Sequence, residues 1–383
     1  DLDVRGKRVL MRVDFNVPME KGKITDDSRI RAALPSIQYV LDHGGSLILM
    51  SHLGRPKGKP EKEFSLAGAA QRLSELLHMP VTMAPDCIGP EVAKMARQLK
   101  PKEILMLENL RFHSGEEAPD KDPDFVKQLA SLGDCYVNDA FGTAHRAHAS
   151  TAVIAQFFPN TSAMGFLIEK EIRELSPLLA NPKRPFYAII GGAKISTKLG
   201  VIKQLLSKVD ALFIGGGMFY PFLKADGVAV GASICEDPAQ IKDLPKDKFR
   251  FPKDLVIADR FANDAHVKTI LVQEGIPPGW QGMDIGPQTV QAWSKELQQA
   301  STVFWNGPLG VFEMPRFASG TQQIAECLAQ GRAKTIVGGG DSVAAIEQMG
   351  LQTKFTHLST GGGASLEFLE FGHLPGIDVL TNR

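Results

Sequence analysis

The sequence has 383 residues, a length typical of two or three domains at about 150 residues each. Hydrophobic residues make up 43% and charged residues 22% of the chain, a globular composition that excludes a fibrous or disordered protein. Lys plus Arg equals Asp plus Glu at 43 each. The sequence therefore lacks the broad basic field on which nucleic-acid binding depends.

The cysteines and the apolar runs indicate in which cellular compartment the protein works. Cys87, Cys135, Cys235 and Cys327 lie far apart, without Cys-x-x-Cys or Cys/His ligand spacing, so we expect reduced thiols and no zinc site. No apolar run approaches the roughly 20 residues of a membrane-spanning helix, and no secretory signal is visible. We expect a cytoplasmic protein with no membrane or nucleic-acid partner, and a monomer because no dimerisation seam is evident.

Short apolar runs alternate with helical periods through the first half of the chain. Apolar positions at helical spacing predict a helix over 30–41, with Ser28 as its N-cap and with Gly44 and Gly45 at its end. Uninterrupted apolar runs of four to seven residues are typical of strands buried on both faces of a parallel sheet. The predicted strands are 9–15, 47–51, 104–107 and 135–137.

The middle of the chain has a different pattern. Residues 166–179 predict a charged amphipathic helix, and the proline-rich stretch 181–185 follows it, as is typical of a domain boundary. A further helix is predicted over 195–209. The alternation of strands and helices predicts an α/β fold of two doubly wound, mainly parallel-sheet (Rossmann-like) domains, joined by a hinge helix at about 166–180. The predicted strands of the second half are 187–190, 211–214, 255–258, 302–305 and 335–337.

Cationic and polar residues follow the predicted strands of the first half. In open parallel sheets, ligands bind beyond the carboxyl ends of the strands. Arginine presents a planar fork of donors that matches phosphate or carboxylate oxygens, so the pattern indicates a small, multiply anionic ligand. Alternatively, each arginine is a surface residue with its own salt-bridge partner. The candidate residues are Asp14, Asn16, Arg29, His52, Arg55, Arg111 and Arg146.

Glycine-rich loops follow the predicted strands of the second half. Glycine permits close backbone approach to a ligand, and helix N-termini direct free amides at anions, so their repeated use indicates a nucleotide. Lys194 and Lys198 stand four residues apart at a predicted helix start, where a bound anion would relieve their repulsion. The alternatives are ordinary turns and a solvated lysine pair. The loops are 191–194, 215–217, 306–310, 338–341 and 361–364.

Asp341 is a candidate ligand for a metal ion held through nucleotide phosphates. Mg²⁺ typically takes one or two carboxylates together with phosphate oxygens. An N-cap role is an equally natural interpretation of Asp341, and the two roles are compatible. Neither a P-loop nor an opening Gly-x-Gly-x-x-Gly fingerprint is present, which disfavours a P-loop enzyme and a dehydrogenase.

Nine motifs, in order along essentially the whole chain, resemble those of the phosphoglycerate kinase family. The first three are Val-Asp-Phe-Asn-Val-Pro at 13–18, Ser-His-Leu-Gly-Arg-Pro at 51–56 and Leu-Glu-Asn-Leu-Arg-Phe at 107–112. The sequence departs from the family pattern at Phe219, Tyr220 and Pro221, where a small residue, an aromatic and Thr are more usual, near the nucleobase side. The remaining motifs are 138–150, 191–198, 215–218, 305–313, 338–342 and 359–365.

The resemblance implies reversible phosphoryl transfer between 1,3-bisphosphoglycerate and ADP, giving 3-phosphoglycerate and ATP with Mg²⁺. It implies a phosphoglycerate-binding domain of residues 1–165 plus 372–383 and a nucleotide-binding domain of residues 166–371, which close about the hinge helix. By matching motif, the seven candidate residues of the first half would hold the glycerate ligand. Arg29 and Lys194 would flank the phosphoryl group in flight, with Gly340 and Gly363 as further catalytic positions. The nucleotide would be held by Lys198, Gly216, Gly282, Asn306, Pro308, Glu313, Gly338, Gly339, Gly340, Asp341 and Ser342, with Glu313 on the ribose.

Two other interpretations stay open at the level of sequence. A NAD-dependent dehydrogenase also uses glycine-rich loops, although its fingerprint is missing here. A non-catalytic nucleotide or anion sensor would keep the binding arginines without needing Lys194 or Asp341.

Overall fold

The computed structural model describes residues Leu2–Leu380 and divides the chain into two compact units. Unit 1 contains the residues up to Arg173 together with those from His373 onward, and unit 2 is Glu174–Gly372. The predicted N-terminal domain also includes residue 1 and residues 381–383, which lie outside the described residues. Among residues 2–380, no helix is both long and apolar enough to cross a membrane.

Unit 1 is built on a six-stranded sheet in which every pair of neighbouring strands is parallel. The strand order is β5-β6-β4-β1-β7-β8, and β2 and β3 form a separate small antiparallel hairpin. The central strands β1 and β4 are buried apart from Arg8, as the apolar runs within them predict. The strands are β1 (Arg8–Arg12), β2 (Met19–Glu20), β3 (Lys23–Ile24), β4 (Ser46–Met50), β5 (Thr82–Met83), β6 (Ile104–Met106), β7 (Cys135–Asn138) and β8 (Ser162–Met164).

Helices cover both faces of this sheet, because alternate strand residues point to opposite sides. Val9 and Met11 of β1 belong to one core cluster and Leu10 between them belongs to another. Ile30 joins the first cluster and Phe125 the second. The helices are α1 (Ser28–Asp42), α2 (Ala67–Leu77), α3 (Pro90–Gln98), α4 (Pro123–Ala130) and α5 (Phe166–Ala180), and the unit boundary falls inside α5.

The predicted cap of α1 is wrong in detail. The helix begins at Ser28, but Asp27 is the N-cap residue and makes no side-chain cap hydrogen bond. Ser28 Oγ instead donates to Asp26 Oδ2 at 2.9 Å. The helix ends at Asp42, and Gly44 has a φ of +79°, a conformation that glycine adopts without strain.

Unit 2 contains a second six-stranded parallel sheet, with the strand order β11-β10-β9-β15-β16-β17. One core cluster on this sheet includes Phe213 and Trp305 from the strands and Trp293 from a covering helix. The two parallel sheets with their helices confirm the predicted α/β class. The strands are β9 (Phe186–Ile190), β10 (Ala211–Ile214), β11 (Phe249–Arg250), β12 (Asp254–Ala258), β13 (Val267–Leu271), β14 (Gln281–Ile285), β15 (Thr302–Asn306), β16 (Lys334–Gly338) and β17 (His357–Leu358).

Two predictions for unit 2 need correction. The predicted strand 255–258 is the centre of a separate antiparallel sheet of order β13-β12-β14. The helix predicted over 195–209 is a 3-10 turn, Ile195–Lys198, followed by a shorter α-helix. Unit 2 contains α6 (Leu199–Leu206), α7 (Tyr220–Ala225), α8 (Pro287–Leu297), α9 (Ser319–Gln330), α10 (Gly340–Gln348) and α11 (Gly363–Phe371).

After unit 2 the chain returns to unit 1 through α12 (Pro375–Asp378). Gly376 N donates to Ala144 O at 2.8 Å, and Asn138 Nδ2 donates to Gly376 O at 2.8 Å. A Cβ at Gly376 would lie 3.0 Å from Ala144 Cα, so the close fit requires glycine. Leu380 is buried in the same core cluster as Leu10.

Candidate functional site

The loop after β1 is tied to the start of α1 and to the loop after β4. Arg29 Nη1 donates to Asp14 Oδ2 at 2.8 Å, and Asn16 Oδ1 accepts from Gly54 N at 2.9 Å. The ion pair with Asp14 stabilises a cation in the first turn of α1, where the helix dipole opposes it. The structure therefore brings Asp14, Asn16 and Arg29 together at the carboxyl ends of β1 and β4.

A buried arginine and a buried histidine lie behind this loop. Arg12 Nη2 lies 3.1 Å from His52 Nδ1, and Arg12 Nε donates to Ser150 Oγ at 2.8 Å. Burial lowers the pKa of His52 well below its usual value, and the charges of Arg12, Arg111 and Arg29 lower it further. His52 is therefore neutral and lies in a positive electrostatic field.

Arg111 is held close to the same loops. Its Nη1 donates to Gly54 O at 3.0 Å, and its Nε lies 3.3 Å from Glu117 Oε1. Burial lowers the pKa of Arg111. The guanidinium is thus oriented by the carbonyl of Gly54, which is itself bonded to Asn16. Its positive charge therefore lies in a partly desolvated site.

His148 lies among the arginines of this region. Burial lowers the pKa of His148 to about 4, and the nearby charges of Arg111, Arg12 and Arg146 act in the same direction. Its buried Nδ1 has no hydrogen-bond partner within residues 2–380, a costly state for a buried polar atom that a bound ligand would relieve. Arg146 and Arg55 have exposed side chains.

Arg12, Glu116 and His148 are members of this region that the sequence prediction missed. Glu116 is fully buried, and its Oε1 accepts from Ser150 Oγ at 2.6 Å, so Ser150 connects Glu116 to Arg12. The signal for Arg12 was available, because it is a cation inside the apolar run 9–15. A buried charge is retained only with partners, but the sequence does not reveal that Glu116 lies nearby.

Unit 2 contains a cavity of about 420 Å³ at the carboxyl ends of β9, β15 and β16. The N-terminal ends of α10, α11 and the 3-10 turn Ile195–Lys198 open onto it. Free amides at helix N-termini favour anions, and phosphate groups in particular. The lining residues are Gly192, Ala193, Lys194, Thr197, Lys198, Asn306, Gly307, Pro308, Gly339, Gly340, Asp341, Ser342, Gly362, Gly363 and Leu366.

The two lysines of the cavity have different environments. Lys198 Nζ donates to Gly191 O at 2.7 Å, and burial lowers the pKa of Lys198 to about 8, an effect that the charge of Asp341 opposes. Lys194 is exposed and makes no ion pair among the described residues. Lys198 is therefore fixed at the floor of the cavity, whereas Lys194 is free to follow a ligand.

Polar contacts fix the loops of the cavity wall. Ser342 Oγ accepts from Gly307 N at 2.6 Å, and Asn306 Nδ2 donates to Gly338 O at 2.8 Å. Gly307 has a φ of +92°, and a Cβ there would lie 2.2 Å from Gly191 O. Only glycine allows these two loops to approach so closely.

Four residues predicted to bind the nucleotide do not line this cavity. The carbonyl oxygen of Gly338 accepts a hydrogen bond from Asn306. Gly216 packs against Gly192, and a Cβ at Gly216 would lie 2.6 Å from the backbone oxygen of Gly192. A Cβ at Gly282 would lie 1.9 Å from Tyr220 Oη, so packing alone already requires glycine there. The fourth residue, Glu313, is exposed.

The N-cap role considered for Asp341 is wrong. Gly339 is the N-cap residue of α10 and makes no side-chain cap hydrogen bond, and Asp341 lies in the first turn. Its carboxylate is exposed and lines the cavity, so it is available to a ligand.

The residues that depart from the family pattern, 219–221, pack inside unit 2. Phe219 is buried, and its ring centroid lies 5.5 Å from that of Phe251. Pro221 stands in the first turn of α7, where proline costs no hydrogen bond. The unusual residues of this stretch therefore pack within unit 2.

The fold and the two sites define a class of protein. One parallel-sheet unit carries a cluster of arginines and histidines, and the other carries a glycine-rich cavity with helix N-termini and lysines. This combination is that of a kinase that transfers a phosphoryl group to a small anionic molecule.

Comparison with known proteins gives the family. The family model for phosphoglycerate kinase matches residues 1–372, and the chain belongs to the phosphoglycerate kinase family. The phosphoglycerate kinase of Moorella thermoacetica is 54% identical over 391 residues, which cover 100% of this chain and 98% of that protein. That of Chloroherpeton thalassium is 55% identical over 393 residues, with the same coverage.

Solved structures agree with this assignment. The structure of phosphoglycerate kinase from Coxiella burnetii superimposes with a TM-score of 0.87 at 39% identity, covering 99% of this chain and 97% of that one. The structure from Pyrococcus horikoshii gives 0.85 at 32% identity, covering 99% and 96%. The chain is a phosphotransferase with a carboxyl group as acceptor, and neither the dehydrogenase nor the sensor interpretation is supported.

Proposed function

We propose that this chain transfers a phosphoryl group reversibly from 1,3-bisphosphoglycerate to ADP, giving 3-phosphoglycerate and ATP. The observation that carries the proposal is the cavity of unit 2, where three helical N-termini and two lysines surround one space of about 420 Å³. The positive region of unit 1 supplies the matching site for the triose.

The triose ligand occupies the cationic region of unit 1 in this proposal. Arg29 and Arg111 supply charge-assisted donors to its phosphate and carboxylate oxygens. Arg55 and Arg146 are exposed, so both are free to turn toward the ligand. Because His52 is neutral, its role is to position the ligand by hydrogen bonding. The complete set is Asp14, Asn16, Arg29, His52, Arg55, Arg111 and Arg146.

The nucleotide phosphates occupy the cavity of unit 2. Lys198 and the amides at Gly340 and Gly363 face them, and Asn306 and Ser342 keep the wall loops in place. The further residues proposed to hold the nucleotide are Gly216, Gly282, Pro308, Glu313, Gly338 and Gly339.

The cavity fits a magnesium ion carried on the nucleotide. Asp341 is an exposed carboxylate at the cavity wall, and Mg²⁺ is commonly held by one carboxylate together with phosphate oxygens. Bound there, Mg²⁺ neutralises phosphate charge. Asp341 would hold it, while its negative charge also helps keep Lys198 protonated.

The chemistry needs positioning more than proton transfer. The attacking group is a carboxylate or a nucleotide phosphate, which is already ionised, so no general base is required. Phosphoryl transfer depends on alignment and on charge stabilisation, and in this proposal Arg29 and Lys194 would flank the transferring group. Gly340 and Gly363 add backbone amides at the N-termini of α10 and α11.

Closure of the two units is part of the proposal. Reacting oxygens must approach to roughly 3–3.5 Å, and each unit carries one of the two substrates. We place the hinge at α5, in which the unit boundary lies. Closure also expels water, which protects the acyl phosphate.

A coupled assay tests the function directly. Purified enzyme is given 1,3-bisphosphoglycerate, Mg²⁺ and ADP, and ATP formation is followed. We expect ATP to form in proportion to enzyme, with no change in nicotinamide absorbance when the coupling enzymes are left out. Binding of both ligands without ATP formation would contradict the proposal.

The cytoplasmic location and the monomeric state stay predictions. The four cysteines are free, in keeping with a reducing compartment. Sedimentation velocity of the purified chain over a range of concentrations measures the oligomeric state, and we expect one species with the mass of a single chain.

A further inference from the structure

An aspartate, a cysteine and a histidine from two distant segments of the sequence meet in unit 1. Asp86 and Cys87 lie in the loop between β5 and α3, and His113 follows the 3-10 turn Leu110–Phe112. A carboxylate oxygen of Asp86, Sγ of Cys87 and a ring nitrogen of His113 all lie within 4.8 Å of one another. We propose that these three residues bind a thiophilic divalent cation, with Zn²⁺ as the best match.

The geometry is close to that of a zinc site. Zn²⁺ binds thiolate, imidazole and carboxylate ligands at about 2.0–2.3 Å in a tetrahedral arrangement, which places ligand atoms about 3.5 Å apart. His113 Nε2 and Asp86 Oδ1 are 2.6 Å apart, so a cation would need to separate this pair slightly and draw the thiol closer.

Neighbouring groups already orient the three ligands. Asp86 Oδ1 accepts from the backbone N of Cys87 at 2.6 Å, and Cys87 Sγ donates to Glu108 O at 2.9 Å. The ring of His113 stacks on Phe125 with a centroid separation of 5.1 Å. Pre-oriented ligands lose little freedom on binding, so this packing favours an ion site.

Access and charge also suit a cation. Cys87 is fully buried, whereas the side chains of His113 and Asp86 are 26% and 46% exposed. The thiol therefore forms the floor of a site that solvent reaches from the other two ligands. Asp86, Glu116 and Glu108 lie close enough to Cys87 to act on it electrostatically, and their negative charge favours a divalent cation beside the sulfur.

The proton balance of binding is simple. The cation replaces the S–H proton of Cys87, which passes to solvent, and the Cys87 hydrogen bond to Glu108 O is given up. His113 Nε2 gives up its hydrogen bond to Asp86 Oδ1 and releases the Nε2 proton through solvent. In the complex the imidazole is neutral, with its single proton on Nδ1. Thiolate, carboxylate and divalent cation then sum to zero charge, and water takes the remaining coordination position.

Metal titration of the purified chain tests the site. Chelator-treated, reduced enzyme is titrated with Zn²⁺ in competition with a chromophoric chelator, and Co²⁺ is used as a spectroscopic probe. We expect one Zn²⁺ per chain and a thiolate-to-cobalt charge-transfer band. Cys87→Ser and His113→Gln should each weaken Zn²⁺ binding by at least about tenfold, and Cys87→Ser should abolish the band.

Cys135→Ser is the matched control, because Cys135 is also a buried, free cysteine of unit 1. It should keep both the binding and the band. Far-ultraviolet circular dichroism checks that each variant is folded. A wild-type chain that shows no cobalt–thiolate band, or Zn²⁺ binding equal in wild type, Cys87→Ser and His113→Gln, would overturn the proposal. The three residues would then be a surface ion pair beside an inert thiol.

Discussion

Lys194 and Lys198 are close in sequence but their side chains are in very different surroundings. Lys198 is bonded to a backbone carbonyl and largely removed from water, whereas Lys194 is exposed at the start of a 3-10 turn. We expect Lys198, which is buried and hydrogen-bonded, to bind a nucleotide phosphate equally well before and during the reaction. Lys194 is exposed and free to move, so it is able to stabilise the negative charge that develops only in the transition state. Stabilisation of the transition state alone is what raises turnover.

We predict that Lys194→Ala lowers kcat by roughly 10²–10³-fold, the cost of removing one charge-stabilising donor, and leaves nucleotide affinity nearly unchanged. Stopped-flow turnover and equilibrium titration with Mg-ADP measure the two quantities. Lys203→Ala, an exposed lysine of α6 outside the cavity, is the control and should retain wild-type turnover. Near-normal kcat in Lys194→Ala would show that this lysine does not stabilise the transferring group.

Arg29 is predicted to matter more for turnover than the other arginines of unit 1. We expect Arg29→Ala to lower kcat by roughly 10²–10³-fold, and more than Arg55→Ala, Arg111→Ala or Arg146→Ala. Loss of its half-exposed ion pair with Asp14 should cost no more than about 1 kcal/mol of stability.

Single-turnover measurements on the four arginine variants decide this ranking. Circular dichroism melts check that folding is preserved in each variant. If Arg111→Ala or Arg146→Ala proved the slowest, Arg29 would contribute to ligand binding but would have no special role in the transfer step.

At the level of residues, the sequence shows which side chains follow a strand more clearly than it shows which polar side chains are buried. Arg29 and Asp14 were found because their positions after strands are visible in the sequence, and the structure joins them by an ion pair. Glu116 was missed because a carboxylate in a polar loop shows no sign of being fully buried. Cys87 and His113 meet only through the fold, so ligand spacing in the sequence offers no signal for them.

The start of α5 depends on side chains from other elements. Asp139, which follows β7, accepts at Oδ1 from Leu167 N at 2.9 Å and Ile168 N at 3.4 Å, and Ser36 Oγ of α1 accepts from Phe166 N at 2.9 Å. The first amides of a helix have no partner within it, so these acceptors fix where α5 begins. Burial raises the pKa of Asp139 to about 7 in spite of these bonds.

A pH dependence of stability follows from Asp139. Because the folded pKa lies above the unfolded value of 3.8, the folded protein binds the extra proton between about pH 4 and 7. The free energy of unfolding therefore falls as pH rises through this window, by about 1.4 kcal/mol per pH unit at most. Asp139→Asn keeps the acceptor oxygen and removes the titration.

Urea titrations followed by circular dichroism measure this effect. We expect the variant to gain stability relative to the wild type as pH rises from 5 to 7, and the difference to level off above 7. A difference that stays constant from pH 5 to 8 would contradict the raised pKa of Asp139.

Apolar runs predict strands well but not how the strands pair. The runs of β1, β4, β9 and β15 belong to parallel sheets as expected, whereas the similar run of β12 pairs antiparallel with β13 and β14. The sequence of β12 contains no feature that separates the two outcomes, since both bury its apolar side chains. The two-residue strands β2, β3, β5, β11 and β17 are too short to give a periodic signal.

At the scale of the molecule, the proposed reaction requires a change of shape. We predict that the radius of gyration falls when 3-phosphoglycerate and Mg-ATP are present together, and that either ligand alone produces a smaller change. Only the pair of ligands bridges the two units, and therefore only the pair stabilises a closed form. Small-angle X-ray scattering measures the difference, with the ligand-free chain as reference. An unchanged radius with both ligands would contradict hinge closure.

Unit 2 is an insertion into unit 1, since residues 373–380 return to the first unit and Leu380 enters its core beside Leu10. During synthesis, domains tend to fold in the order in which they leave the ribosome. Here the earlier-made unit must wait, with part of its interior uncovered, until all of unit 2 has been translated. The nascent chain is therefore most vulnerable to aggregation and to capture by chaperones in that interval, and a ribosome stalled anywhere within unit 2 would leave the core around Leu10 without Leu380.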